Sequence, residues 1–467
     1  MSPKTVVKRD IPADLETPVS AFLKLRAAGA RFLLESVENG EKLGRFSFIG
    51  VGNAARVTVG AKALEVDGAG GKRSVPFGDG GPLGALRDLL LAQEMPAEAG
   101  APSLLGGLVG YLSYDFARNL EKIPATLPDR LGLPDGVFLL TDALVMFDHI
   151  RRRMTLVALA DDAAAGEKRL DAIVERLRGA LPALPLSEKT LKPLDGDTTR
   201  EKYQSSVQAA QEHIRAGNAY QVVLSQRWSG EIGVAPFQVY RALRIQNPSP
   251  YMFYFDFDDF QLVGSSPEVL VKLEGRTAIV RPIAGTRPRG ASEAEDAKLE
   301  QELLADEKER SEHVMLVDLA RNDLGRVCEY GSVKPTDLFT VERYSHVMHL
   351  VSEVRGTLRK DQDQFDLFRA AFPAGTVTGA PKIRAMQIIE SLETSRRGPY
   401  AGAVGYFGAN GQMDTCIAIR TIVVQRGVAH LQAGAGVTLG STPEGEYQEC
   451  MSKVAALRKA VETATEL

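Results

Sequence analysis

The sequence contains few cysteines and no long apolar run. Its three cysteines, Cys328, Cys416 and Cys450, are widely separated among 467 residues, and none lies in a CxxC motif. A disulfide framework and a thiolate zinc site are therefore not expected, and the reducing cytoplasm is the predicted compartment. No apolar segment reaches transmembrane length, and the first residues lack the apolar core of a secretory signal. No membrane role is predicted.

The chain also lacks a large net charge. It has 56 Lys plus Arg against 60 Asp plus Glu, which gives a formal net charge of −4. This balance argues against general binding to nucleic acid or to a membrane surface. With 44% hydrophobic and 25% charged residues, the composition is that of a soluble globular protein with a large buried core.

A proline-containing connector divides the sequence near residues 180–200. Pro182, Pro185 and Pro193 lie in this stretch. Because proline fixes φ and lacks a donor, the stretch is expected to be extended. We place a domain boundary there, with an N-terminal domain over residues 1–190 and a second domain over residues 191–467.

Apolar periodicity on both sides of the connector predicts many strands. Runs such as RFLLESV and GRFSFIGVG precede it, and AGAVGYFGANG and DTCIAIRTIVVQ follow it. Turn pairs such as Asn410-Gly411 indicate antiparallel hairpins. Helical spacing of Tyr203, Val207 and Ile214 predicts a helix after the connector. The predicted fold class is α+β, with large antiparallel β-sheets and helices on their outer faces.

Two predicted helices each present a pair of glutamates on one face. Glu309 and Glu312 lie in a strongly helical segment over residues 295–325, and Glu446 and Glu449 lie in a helix near the carboxyl end. Acidic residues on helices most often face solvent or favour the helix dipole. Carboxylates from two separate elements are also what Mg²⁺ prefers when water and substrate oxygens complete its shell. Spacing alone leaves both interpretations open.

Two glycine-rich segments and one arginine suggest an anion site. PAGTVTGAPK would open a helix whose free N–H groups, with the hydroxyls of Thr376 and Thr378, could hold an anion. QAGAGVTLGS would let backbone at Gly434 and Gly436 approach a ligand. Neither is a P-loop or a dinucleotide fingerprint, and each could equally be a tight turn. Arg420, in the strand-like run CIAIRTIVV, would need a carboxylate partner from the protein or a ligand.

Taken together, these segments resemble the chorismate-utilising enzymes. The resemblance runs from residue 33 to the helix containing Glu449, and its most specific blocks are PIAGTRPRG, SEHVMLVDLARNDLGRV, RYSHVMHLVSEVRG, FPAGTVTGAPKIRAMQIIE, GAVGYFG, DTCIAIRT and QAGAGVTLGSTPEGEYQE. It implies two antiparallel sheets packed as a sandwich with helices outside. It also implies an enzyme that acts on chorismate.

The resemblance further implies residue roles, because chorismate carries two carboxylates. One carboxylate would be held with Mg²⁺ between Glu312 and Glu449. Glu268 would be the general acid for the departing C4 hydroxyl, and His349 would serve the later loss of pyruvate and aromatisation. The implied substrate contacts are Gly285, Thr286, Tyr400, Arg420, Gly434, Ala435 and Gly436, and the implied catalytic residues are Glu268, His349, Glu309 and Thr376.

Two positions discriminate among the branches of that family. Relatives that add water have a lysine base in the place of Gln221, and glutamine cannot accept a proton. Many folate-branch relatives have a lysine nucleophile where Ala284 stands. The branch indicated adds ammonia at C2 of chorismate and releases anthranilate and pyruvate, the first step of tryptophan biosynthesis. An aminodeoxychorismate synthase component and a non-catalytic tryptophan-sensing homologue are the alternatives.

The resemblance also implies a partner and an effector. None of the three cysteines has the GxCxG-like setting of a class I glutaminase. Ammonia is therefore expected from a separate glutamine amidotransferase subunit, in a heterotetramer of two large and two small subunits. L-Tryptophan is the implied feedback inhibitor, with Ser36, Pro250, Tyr251 and Met252 as its binding residues.

Overall fold

The strands of the chain gather into two antiparallel sheets. The structure is a computed structural model, and it describes residues 4–36, 44–93, 104–183, 192–344 and 347–467. The strands are β1 (Thr5–Pro12), β2 (Ala30–Glu35), β3 (Phe46–Val51), β4 (Asn53–Val59), β5 (Ala63–Gly68), β6 (Gly71–Pro76), β7 (Gly107–Leu112), β8 (Gly136–Thr141), β9 (Ala143–Asp148), β10 (Arg153–Ala160), β11 (Asp195–Gly196), β12 (Gln221–Glu231), β13 (Tyr251–Asp256), β14 (Phe260–Ser266), β15 (Val269–Glu274), β16 (Thr277–Val280), β17 (Ile283–Pro288), β18 (Lys334–Arg343), β19 (Val347–Thr357), β20 (Gly379–Ala380), β21 (Ala403–Gly408), β22 (Met413–Ile417), β23 (Thr421–Gln425) and β24 (Val428–Val437).

The helices alternate irregularly with these strands. They are α1 (Pro18–Leu25), α2 (Gly81–Leu91), α3 (Ala163–Arg178), α4 (Arg200–Arg215), α5 (Pro236–Gln246), α6 (Glu293–Ala305), α7 (Glu307–Gly325), α8 (Gln364–Ala371), α9 (Lys382–Leu392) and α10 (Pro443–Ala464). Short 3₁₀ segments span residues 26–28, 114–119 and 375–377. Among the helices that the structure describes, none is both long and apolar enough to cross a membrane.

Within the described residues each sheet has 12 strands, and each mixes strands from the two ends of the chain. The first sheet runs β1-β10-β9-β3-β2-β13-β14-β23-β24-β12-β11, with β20 beside β12. The second runs β17-β19-β16-β15-β22-β21-β7-β8-β4-β5-β6, with β18 beside β19. Early strands pair with late ones, since β2 pairs with β13 and β7 with β21. The division at residues 190 and 191 stays a prediction, while the pairing joins the two parts in both sheets.

Aromatic side chains fill the space between the sheets. Phe48 of the first sheet lies 6.2 Å from Tyr406 of the second, and Tyr111 meets Phe260 edge-on at 5.9 Å between ring centroids. The outer face of the first sheet packs against α1, α3, α4, α5 and α10, and that of the second against α2, α7 and α8. This arrangement confirms the predicted α+β sandwich with helices outside.

Local sequence accounts for the helices that matter most. In α4, Tyr203, Val207 and Ile214 are buried as their spacing predicts. In α10, the Thr442 side chain accepts a hydrogen bond from the Gly445 N–H and Pro443 occupies the first turn, where a missing N–H does no harm. The Asn410-Gly411 pair lies in the hairpin that joins β21 to β22.

Two local predictions need correction. The helical segment over residues 295–325 is interrupted at Asp306, whose carboxylate caps α7 by accepting from the N–H groups of Lys308 and Glu309. An aspartate favours such a cap over continued helix. Arg420 does not lie inside a strand. It follows β22 and precedes β23, and its φ of 50° takes it out of the sheet.

Candidate active site

The candidate site lies where α7 of one layer meets the β12–β24 edge of the other. The Gln221 Nε2 group, at the start of β12, donates to Glu312 Oε1 on α7 at 2.8 Å. Gly436 on β24 faces the same point, because a methyl group there would come within 2.6 Å of Gln221 Nε2 and 3.8 Å of Glu312 Oε1. A side chain at position 436 would therefore close the space beside Glu312.

The predicted carboxylate pairs lie on α7 and α10 and act on each other electrostatically. Burial raises the pKa of Glu309, and the charge of Glu312 adds to the rise. Burial likewise raises the pKa of Glu446, and Glu449 adds to it, while Lys308 on α7 lowers it. Because the charge of Lys308 on α7 affects the pKa of Glu446 on α10, the first turns of the two helices must lie near each other. Each pair of like charges favours a cation beside it.

These carboxylates fit a divalent cation of the magnesium type. Glu446 Oε2 is buried and has no hydrogen-bond partner among the described residues. Glu449 is half exposed and is paired with Lys453 at 2.7 Å. Within those residues no three acidic, His or Cys side chains already form a metal-binding cluster. Mg²⁺ commonly uses one or two protein carboxylates with water and substrate oxygens, so a three-residue cluster is not required.

Glu268 is a buried carboxyl that carries a proton at neutral pH. It follows β14 and is 7% exposed. Burial raises its pKa from 4.5 to about 8, although the Thr376 hydroxyl, the Lys453 charge and the Ile283 N–H oppose the rise. Glu268 and Thr376 line one small cavity. The group can therefore donate a proton to a ligand at this position.

His349, on β19, is held in one tautomer. Its Nδ1 lies 3.0 Å from the Gly285 carbonyl oxygen and 3.1 Å from Thr286 Oγ1. A carbonyl can only accept, so Nδ1 carries the proton and Nε2 keeps its lone pair. Burial, together with the charge of Arg420, lowers the pKa of His349 to about 4. The ring is neutral at physiological pH, with Nε2 available as an acceptor.

Gly285 links this histidine to α7. Its φ of 62° is in the left-handed region, and a methyl group there would lie 2.9 Å from Leu303 Cδ1 and 3.2 Å from Glu309 Oε2. Glycine is therefore needed for both conformation and space. The same residue presents its carbonyl to His349 and its α-carbon to Glu309.

The predicted contacts for the second carboxylate of the substrate surround Gly434. A methyl group on Gly434 would lie 2.9 Å from the Tyr400 hydroxyl and 2.8 Å from the Leu224 carbonyl oxygen. Lys453 Nζ donates to the Gly434 carbonyl at 2.8 Å. Ala435 is fully buried in the core on the helix-covered face of the sheet, so only its backbone faces a ligand. Arg420 influences the pKa of both Glu268 and His349, which places its charge in the same site.

The glycine- and threonine-rich turn differs from the prediction in one respect. The Thr378 hydroxyl donates to the Ala374 carbonyl at 2.9 Å and is completely buried. It therefore stabilises the turn and does not face a ligand. Thr376 Oγ1 is buried without a partner of good hydrogen-bond geometry in the described chain, and it remains the hydroxyl of this turn that faces the site.

The predicted catalytic, substrate-contact and metal residues are thus linked to one another by contacts and by the effects of their charges. Sequence analysis gave no role to Lys453, which contacts both Glu449 and Gly434. Its spacing of four residues from Glu449 is the signal that could have found it. Sequence analysis also gave no role to Arg397, because its contacts with buried groups produce no recognisable sequence motif.

A separate cavity of about 250 Å³ gathers the predicted effector residues. Ser36, Pro250, Tyr251 and Met252 all line it, together with Glu35, Arg45, Phe46, Lys272, Tyr406, Asp414 and others. The Tyr251 hydroxyl donates to Asp414 Oδ1 at 2.9 Å. Glu35 is fixed at the base by Arg244 at 3.0 Å. The cavity combines aromatic walls with charges of both signs, as an aromatic amino acid requires.

Comparisons with known proteins cover this whole framework. A family model described as "chorismate binding enzyme" matches residues 29–459. The chain is 48% identical to anthranilate synthase component 1 of Thermus thermophilus over 97% of this chain and 96% of that protein. It is 46% identical to the protein of that name from Pseudomonas aeruginosa, over 97% and 94%. The solved structure of anthranilate synthase component I from Streptococcus pneumoniae superposes with a TM-score of 0.78 at 36% identity, over 96% and 98%.

Proposed function

Since the chain belongs to the chorismate-binding enzymes, in the group of anthranilate synthase component 1, we propose that it converts chorismate and ammonia to anthranilate and pyruvate. The observation that carries the proposal is that the charge of Arg420 acts on both a proton-bearing Glu268 and a neutral His349. A protonated acid and an unprotonated base at the same pH suit a reaction that has one protonation step and one deprotonation step.

In the first step, ammonia adds at C2 of chorismate and the ring double bonds shift. The C4 hydroxyl leaves as water with the proton of Glu268, and the product is aminodeoxyisochorismate. A pKa of about 8 keeps Glu268 protonated below that pH, so the carboxyl has a proton to give to the departing C4 oxygen.

In the second step, His349 removes the proton at C2. The C3–O bond breaks, the ring becomes aromatic, and the enolpyruvyl group leaves and takes up a proton as pyruvate. The acceptor is Nε2, because the Gly285 carbonyl holds the only ring proton on Nδ1. A histidine charged at neutral pH could not act in this way.

Mg²⁺ is the proposed cofactor, and Glu312 and Glu449 are its proposed ligands. Glu309 and Glu446 lie one turn earlier on the same helices and would hold its water molecules. When bound, the ion would neutralise one carboxylate of chorismate and fix the ring orientation. Breaking the Lys453–Glu449 pair at 2.7 Å would free Glu449 for the ion.

The amide of Gln221 favours ammonia over water as the nucleophile. Because the Glu312 carboxylate only accepts, Gln221 must direct Nε2 toward it, and Oε1 then faces the other way. That oxygen is buried and has no hydrogen-bond partner in the described part of the chain. Ammonia can donate to it and keep its lone pair for attack, whereas water would also need a base.

A separate glutamine amidotransferase subunit is the proposed ammonia source, in a cytoplasmic heterotetramer. The three cysteines of this chain are all buried. Burial raises the pKa of Cys328 to about 11 and of Cys450 to about 12, and it raises that of Cys416 as well. Such thiols are poor nucleophiles, so this chain is not expected to cleave glutamine.

A product assay tests the reaction. Purified chain with chorismate, Mg²⁺ and ammonium should release fluorescent anthranilate and an equal amount of pyruvate, while glutamine in place of ammonium should give none. Chromatography of the mixture separates anthranilate from 4-amino products. Accumulation of a 4-amino product would assign the chain to the folate branch, and tryptophan binding without turnover would make it a sensor.

Feedback inhibition by tryptophan is the proposed role of the cavity beside Ser36. The cavity and the site are joined through Ser265, whose hydroxyl donates to the carbonyl of Asn247, three residues before Pro250 of the cavity. The Ser265 N–H donates to the Arg420 carbonyl at 3.1 Å. On the other side, Cys416 lines the cavity and its neighbour Ile417 donates to the Glu268 carbonyl at 3.0 Å. A displacement at the cavity can therefore reach the backbone of Arg420 and of Glu268.

Ser36→Ala should raise the tryptophan concentration for half-maximal inhibition about 3- to 10-fold, the value of one hydrogen bond. Turnover without tryptophan should not change, because Ser36 lies outside the site. Ser74→Ala, on β6 and bonded to Glu65, is the matched control. An inhibition curve identical to that of the unmodified chain would remove Ser36 from the effector site.

A further inference from the structure

Arg397 and Glu393 form an ion pair buried beneath the candidate site. Arg397 Nη2 lies 2.6 Å from Glu393 Oε1, and the side chains are only 1% and 4% exposed. Nε also donates to the carboxylate, at 3.0 Å from Oε2. A buried pair of this kind is tolerated only when its other donors and acceptors are satisfied. Here the groups that satisfy the remaining donors and acceptors belong to segments of the candidate active site.

The guanidinium joins the Thr376 turn to strand β12. Nη1 donates to the Val377 carbonyl oxygen and Nη2 to the Val223 carbonyl oxygen, both at 2.7 Å. Val377 follows Thr376 directly. Val223 lies two residues after Gln221 on β12. One rigid, planar group therefore fixes the distance between these two parts of the site.

The carboxylate of Glu393 holds the next part of the same strand. Its Oε1 accepts from the Ser225 N–H at 2.8 Å and from the Ser225 hydroxyl at 2.9 Å. Ser225 is the partner of Gly434 in the β12–β24 pairing. A methyl group on Gly434 would lie 3.1 Å from Ser225 Cβ. The pair thus also supports the strand on which the Gly434 backbone rests.

Two tyrosine rings complete the arrangement. The Arg397 guanidinium lies 4.4 Å from the centroid of the Tyr114 ring and 5.9 Å from that of Tyr400. Tyr400 is the residue whose hydroxyl borders Gly434. Cation–π contacts favour a fixed placement of the ring over the cation. Thr376, Tyr400 and Gly434 are therefore all located relative to one ion pair.

We propose that Arg397 and Glu393 are positioning residues that set the spacing among Thr376, Tyr400 and Gly434, and with it the binding of the chorismate carboxylate remote from Mg²⁺. Neither residue touches the substrate. The inference rests on the proposed function. No hydrogen bond among the described residues joins this pair directly to Glu312 or Glu449, so the pair acts on the Gly434 end of the site more than on the metal end.

Arg397→Lys is the test, because lysine keeps the charge but cannot reach Val377, Val223 and Glu393 together. The KM for chorismate should rise about tenfold, as expected for one or two lost buried hydrogen bonds, and kcat should fall less. The Mg²⁺ concentration for half-maximal activity should not change. Arg169→Lys is the matched control, because Arg169 likewise joins a carboxylate, Asp142, to a backbone carbonyl, Gly52, away from the site.

An unchanged KM in Arg397→Lys would overturn the proposal. So would equal shifts in KM and in the Mg²⁺ requirement, since these indicate general loss of structure. Glu393→Gln, which keeps the side-chain shape, provides the same measurement if Arg397→Lys does not fold. Calorimetric titration of the chain with chorismate distinguishes a failure of the positioning role from a failure of the proposed reaction. Weaker binding in the variants would support the positioning role even if the unmodified chain made no anthranilate, and equal binding would refute it.

Discussion

Glu268→Gln should lower kcat for anthranilate formation by about 100- to 10,000-fold, the usual contribution of a positioned general acid. Glutamine keeps the size of the side chain and its hydrogen bonds but has no proton to transfer to the C4 oxygen. KM for chorismate should change little, because the carboxyl acts mainly on the leaving group. Glu231→Gln, at the exposed end of β12 where Glu231 pairs with Lys192, should retain full activity.

The pH profile gives a second and independent signature of Glu268. Its pKa of about 8 means that the acid form is present below pH 8 and is lost above it. With the concentration of free NH₃ held constant, turnover should therefore decline above about pH 8, and the residual activity of Glu268→Gln should lack this decline. A profile that stays flat to higher pH would contradict the assignment of Glu268 as the acid.

The raised pKa of Glu268 also makes the folded chain less stable as the pH rises. Between pH 4.5 and about 8 the folded chain holds a proton on Glu268 that the unfolded chain releases. The free energy of unfolding therefore falls as pH rises through this interval, by an amount on the order of a few kcal/mol. Glu268→Gln removes this loss, so its urea midpoint should exceed that of the unmodified chain at pH 8.5 but match it at pH 5.

Glu449→Gln should raise the Mg²⁺ concentration for half-maximal activity at least about tenfold, since loss of one charged ligand costs more than about 1.4 kcal/mol. At saturating Mg²⁺ part of the turnover should return. The measurement is a Mg²⁺ titration of the initial rate at fixed chorismate.

Glu444→Gln is the control on the same helix. Glu444 lies in the first turn of α10, is exposed, and is bound by Arg200 and Gln204, so its loss should leave the Mg²⁺ titration unchanged. Identical titrations for Glu449→Gln and the unmodified chain at limiting Mg²⁺ would remove Glu449 from the metal site. Equal shifts in both variants would instead indicate a nonspecific effect of helix charge.

Local chemistry in the sequence was sufficient to predict much of the fold. The alternation of apolar residues predicted the strands, and the Thr442-Pro443 start predicted α10, because caps and periodicity act over a few residues. The break at Asp306 was missed because the flanking segments are both strongly helical. The place of Arg420 was missed because a positive φ in a non-glycine residue depends on its surroundings.

The sequence named candidate site residues but not their ionisation states. The resemblance named Glu268 and His349, yet a sequence does not reveal that burial raises one pKa to about 8 and lowers the other to about 4. These shifts come from segments far apart in the chain. The function of Arg397 was equally hidden, since its partners are backbone carbonyls that any residue could supply.

The pairing of early with late strands bears on how the chain acquires its structure. During synthesis, β2 and β7 leave the ribosome long before their partners β13 and β21, so one edge of each strand stays unpaired. Loop closure over such separations slows folding, and unpaired strand edges can pair with other chains. We therefore expect this polypeptide to depend on chaperones during synthesis. Separately expressed halves should aggregate, whereas the same halves produced together should assemble.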